Sequence, residues 1–196
     1  MTSRKPPPRR DLAQEALGAL AVPVRYALIS HLLSAGPRTA SECAVVVGES
    51  ASNCSWHLRA LAQVGLVEPA EREGDGRSRP WRAAVPGFAF ADDSPAGDVA
   101  AAALTSISAR HADELYQRYL DRRGELPAPW RAATDNNYAL RVTPAEAEQL
   151  MTAIDDVLRP YVRPIRPDAP QGSEIVHVTL RGFLDPDVAR ESGQGS

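Results

Sequence analysis

The sequence predicts a mainly α-helical chain with a small β component, and three observations carry that expectation. Apolar residues recur at helical spacing in four successive stretches up to about residue 63. A polar turn with two glycines, set between two strand-like runs, comes directly after them. Beyond a break flanked by prolines, a second series of helical and extended stretches begins. With 196 residues, 43% of them apolar, the chain is long enough to bury a real core.

The elements follow in order. MTSRKPPPRR, residues 1–10, is polar, proline-rich and basic, and reads as a disordered arm. From Asp11, DLAQEALGAL places apolar residues at 12, 13, 16, 17 and 20, a short amphipathic helix. Pro23 restarts the chain for VRYALISHLLSAG, with Val24, Leu28 and Leu32 in one stripe and Gly36 as its C-terminal cap. Thr39-Ala40-Ser41-Glu42 has the spacing of a capping box, in which hydroxyl and carboxylate satisfy each other's orphan amides. It opens a third helix that Gly48 ends. Ser50 caps a fourth, with small or apolar residues at 51, 54, 58 and 61 and Gly65 beyond its end. Two short helices around a turn, the second strongly amphipathic, make a helix-turn-helix. LVEPAER and RSRPWRAAV then flank EGDG, whose Gly74 and Gly76 suit a hairpin turn, so residues 11–90 are expected to be a winged helix-turn-helix domain.

A linker over 86–97 and a long helix from Asp98 to about Arg123, stopped by Gly124, make up a segment 91–124. Residues 125–184 are expected to be an α/β extension. Tyr138, Leu140 and Val142 alternate as a strand. Thr143-Pro144-Ala145-Glu146 is a second capping box, opening a helix with apolar positions 147, 150, 154, 157 and 161, and EIVHVTLRGF is a last strand. The predicted class is therefore a winged helix-turn-helix domain plus a C-terminal extension of long helix, strand, helix and strand, with a disordered tail at 185–196.

Charge separates the two halves. Residues 1–90 hold 11 basic and 8 acidic groups, net +3, whereas residues 91–196 hold 11 and 17, net −6, within an overall −3. The positive field sits with the helix-turn-helix. No apolar run is long enough for a membrane span and no signal-peptide pattern occurs, so a cytoplasmic chain without membrane contact is expected, and two cysteines fit a reducing compartment. Neither a nucleophile with its supporting motif nor a phosphate-binding glycine loop is present, and no enzyme activity or cofactor is expected.

In SASNCSWHLRALAQVGLVEP, the residues Ser55, His57, Leu58, Leu61 and Gly65-Leu66-Val67 carry a family pattern. Over residues 23–85 the chain resembles the DNA-binding domain of the ArsR family of bacterial transcriptional repressors. Its C-terminal part is similar to the extensions of longer actinobacterial ArsR-like regulators. The resemblance implies a homodimer joined through the first helix and the helix after the wing, bound to double-stranded DNA; an unknown small-molecule effector is a separate candidate partner. Metal-sensing members carry a cysteine pair where this chain has PRTAS at 37–41. Of their other ligand pattern, in the last helix, His111 and Glu114 supply one half.

DNA contact is expected from the outward face of the fourth helix, Ser52, Asn53, Ser55, Trp56 and Arg59. An amide such as Asn53 can bond adenine bidentately, and Arg59 can reach guanine or a phosphate. His57 is expected to bridge this helix to the wing or to a phosphate. In the wing, Arg72, Arg77, Arg79 and Arg82 suit phosphate contact, with Arg77 and Arg79 foremost. Cys54 and His57 have a spacing that would fit two metal ligands, but a tetrahedral site needs four, and Cys54 also reads as a core residue; no metal is expected. Trp130, Tyr138, Tyr161 and Phe183 suit either the core or a small cavity of the extension. Two alternatives stand beside a DNA-binding repressor: a metal or thiol sensor through Cys43 and Cys54, and a winged-helix protein-interaction module without DNA binding.

Overall fold

The structure is a computed structural model, and it describes residues 10–11, 14–71, 79–89, 95–132, 136–166 and 168–184. The arm at 1–9, the wing tip at 72–78 with Arg72 and Arg77, and the tail at 185–196 lie outside the described residues.

Helices α1 (Gln14–Leu20), α2 (Pro23–Ala35), α3 (Ala40–Val47) and α4 (Ala51–Gln63) follow one another closely. Local chemistry sets each boundary. Pro23 starts α2, where its missing N–H costs nothing. The Thr39 side chain accepts from the Glu42 amide while the Glu42 carboxylate takes the Thr39 N–H at 2.7 Å, the predicted capping box. Gly48, at φ 71° in the left-handed region, ends α3, and Ser50 caps α4 through the Asn53 amide.

Strand β1 (Arg10–Asp11) pairs parallel with β4 (Phe88–Ala89), so residue 10, expected in the arm, belongs to a short ladder. That ladder also interrupts the linker expected over 86–97. The wing is β2 (Val67–Pro69) against β3 (Trp81–Ala83), antiparallel, with Glu68 opposite Arg82. A bridge between Arg38 and Trp81, with both N–H groups bonded at 2.8–2.9 Å, ties the hairpin to the start of α3.

Helix α5 (Pro95–Arg122) begins three residues earlier than expected. Its Leu104 enters one core with Leu17, Leu20, Leu28, Ile29, Leu32, Cys43, Cys54, Leu58 and Leu61. Each fully buried leucine there contributes roughly 1.5–3 kcal/mol. Tyr26 donates from its hydroxyl to Ser108 Oγ at 2.8 Å and fixes α5 to α2.

Helix α6 (Pro144–Leu158) has the predicted capping box, Thr143 with Glu146. The flanking strand expectations need correction. Residues 136–142 and 173–184 are extended but carry no ladder among the described residues, because neither meets a partner edge. Trp130, Tyr138, Tyr161 and Phe183 are all exposed and form no core. Beyond Leu104, no described residue is buried.

Candidate nucleic-acid interface

Helix α4 divides cleanly into two faces. Cys54, His57, Leu58 and Leu61 are buried, which leaves Ser52, Trp56 and Arg59 exposed and Asn53, Ser55 and Ala60 between. The exposed side chains lie 3 or 4 residues apart, so they form one stripe along the helix. Arg59 is held along that stripe, donating from Nη1 to Ser55 Oγ at 3.1 Å. Asn53 Nδ2 donates to Glu49 Oε2 at 2.8 Å. Its amide is thus engaged by a carboxylate, and a base edge would have to compete with Glu49.

Trp56 is 55% exposed and is braced from behind. The Arg25 guanidinium of α2 lies 5.4 Å from its ring centroid, a cation–π contact, and His57 meets it edge-on at 4.7 Å. Arg25 Nε also donates to His57 Nδ1 at 3.3 Å, so that nitrogen is an acceptor and the imidazole is neutral. Burial lowers the His57 pKa, the charge of Arg25 lowers it further, and Glu49 opposes. The expectation of a bridge to the wing is therefore corrected: His57 is 8% exposed and joins α4 to α2. Arg25 and Glu49 were not foreseen as parts of this site. A single arginine within the apolar α2 sequence was the available signal for the first.

In the wing, Arg79 is exposed and donates from Nε to Ala70 O at 3.4 Å. Arg82 is paired with Glu68 at 2.7 Å across the ladder, so its charge is answered within the hairpin. Arg77 lies outside the described residues.

Both cysteines are free and buried. Burial, then the neighbouring Cys54, pushes the Cys43 thiol up to about 11, and burial raises Cys54 as well. Among the described residues no three His, Cys, Asp or Glu side chains are grouped to hold a metal ion. A separate cleft of about 180 Å³ opens between α2, α3, α5 and the C-terminal segment, lined by His31, His111, Glu114, Arg118 and His177 with an apolar wall from Val46, Val47 and Leu115.

Residues 20–70 match a family model described as a helix-turn-helix domain. The match spans α2, α3, α4 and the first strand of the wing, the part of the chain that presents the Trp56 and Arg59 stripe. The chain thus carries a helix-turn-helix domain of the kind found in DNA-binding regulators. No curated protein matches the chain. No helix among the described residues is long and apolar enough to cross a membrane.

Proposed function

We propose that the chain is a cytoplasmic, homodimeric transcriptional regulator of the ArsR type, a repressor that binds double-stranded DNA and does not use that family's metal sites. The observation that carries the proposal is the exposed stripe of α4, with Ser52, Trp56 and Arg59 outward on a helix whose opposite face is locked in the core. Such a helix enters the major groove with its N-terminal residues toward base edges. In this reading Arg59 contacts a base or phosphate, Arg77 and Arg79 fix register on phosphates, and Asn53 reads a base by exchanging Glu49 for it. The cleft beside His111 and Arg118 is the place for a small-molecule effector, since polar groups converge there from α2, α5 and the C-terminal segment.

Fluorescence anisotropy on DNA from upstream of the chain's own gene, against scrambled DNA at two salt concentrations, tests the proposal. Specific binding that weakens steeply with salt is expected. Arg59→Ala should weaken specific binding by about 1–3 kcal/mol. Equal affinity for both DNAs would remove the regulator reading.

The alternative of a protein-interaction module draws on the exposure of Trp56 and the net charge of −3. It predicts no specific DNA binding in the same titration. A thiol sensor through Cys43 and Cys54 is disfavoured, because a thiol with its pKa near 11 holds almost no thiolate at neutral pH.

A further inference from the structure

The part of the chain beyond residue 125 has an amphipathic helix and two extended runs but no buried residue among those described. Of the 18 large apolar side chains exposed on the described residues, 13 lie from Trp130 onward. Isolated exposed apolar residues are ordinary, but a concentration of this kind marks an interaction surface.

The run 174–184 is exposed along its whole length, but its two faces differ in what they touch. In an extended chain, alternate side chains point to opposite faces. The odd face touches the rest of the chain at two positions, while its Ile175 and Phe183 stay 49% and 84% exposed. His177 lines the cleft on α5, and Arg181 Nη2 donates to Ala109 O at 3.0 Å and pairs with Asp113 at 3.1 Å. The even face presents Val176, Val178 and Leu180 outward, 61%, 59% and 46% exposed. Residues 138–142 repeat the pattern with Tyr138, Leu140 and Val142, also uncovered. Neither run bonds its backbone to a strand among the described residues, so each offers an unsatisfied edge as well as an apolar face.

We propose that a second copy of this chain covers these faces, with the 138–142 and 174–180 runs of one protomer pairing with those of its partner to complete a shared sheet against the α6 helices. Three observations favour a copy over another occupant. The chain itself supplies two unpaired runs of matching apolar alternation. Residues 125–184 hold six arginines against eight carboxylates, a net −2 that opposes self-association little. Covering the eight exposed large apolar side chains of these two faces and of α6, at roughly 80 Å² each, removes on the order of 640 Å² per copy, and twice that for the pair reaches the lower end of stable interfaces. The inference deepens the homodimer of the proposed function but does not depend on DNA binding.

Light scattering on the full chain, with hydrogen exchange of its amides, tests the inference. The expected result is twice the 21.1 kDa chain mass with slow exchange at 138–142 and 174–180. Because Val178 and Leu140 are exposed within one chain, Val178→Glu and Leu140→Glu leave the helix-turn-helix domain folded. Each is expected to halve the mass and release those amides. A monomeric wild type overturns the inference, including one with protected amides, which would mean pairing within one chain. So does a dimer indifferent to both substitutions, whose interface would lie elsewhere. Loss of DNA specificity in a dimer that obeys these expectations would remove the regulator reading and leave this one standing.

Discussion

At the scale of single residues, the pair Cys54 and His57 shows how spacing misleads without burial. Three residues apart on a helix, they share a face, but that face is the core, and each is engaged there by different means. Cys54 packs among leucines, while His57 keeps a lone pair for Arg25 and a ring edge for Trp56. The type of residue was legible in the sequence; the partner was not, because Arg25 lies 32 positions away and only the packing of α2 against α4 brings it near. The thiols yield a prediction at this scale. In the native protein at neutral pH, a thiol reagent should leave Cys43 and Cys54 unmodified, and both should react once denaturant exposes them. Rapid labelling of both in the folded protein would return the thiol sensor to consideration.

At the scale of elements, the helix-turn-helix was legible because its boundaries are made by local chemistry. Thr39 with Glu42, Gly48 at positive φ, and Ser50 each act within four residues, so sequence alone contains the whole interaction. Thr39→Ala should cost about 1 kcal/mol, read as a lower urea midpoint at unchanged slope, and Thr39→Ser should restore most of it. An unchanged midpoint in the alanine variant would show the cap to be dispensable. The strands predicted at 138–142 and 174–183 failed for the opposite reason. Alternation was present in both runs, but a strand needs an edge to pair with, and one chain does not bring the two edges together. Among the described residues the ladders are the short wing and the two-residue pairing of β1 with β4, and the second joins segments too far apart to be foreseen.

At the scale of the whole molecule, all four histidines shift in one direction. Burial is the leading cause of a lowered pKa at His31, His57, His111 and His177, with arginine charge second at each. Each therefore binds its proton more readily in the unfolded chain. Their contribution is fully present above the ordinary value of 6.5 and is lost as pH falls below it. Glu42 and Glu146, held down by hydrogen bonds from their capping threonines, add a second loss below the ordinary 4.5. Thermal unfolding should accordingly show a decline starting near pH 6.5, distinct from the acid transition. A melting temperature flat between pH 7 and 5 would mean that these imidazoles are as well hydrated folded as unfolded. The cleft adds a local version, since His111 and His177 face Arg118, and protonating either sets like charges against each other where the C-terminal run meets α5. Helix α5 also has a mechanical consequence. It is rooted at Leu104 in the core, is tied to α2 through Tyr26 as far as His111, and continues to Arg122, about 16 Å beyond that tie at 1.5 Å per residue. A rigid rod free at one end is a lever. A tilt of about 10° would carry the free end roughly 3 Å, so a sub-ångström readjustment in the helix-turn-helix is magnified where the chain turns toward α6.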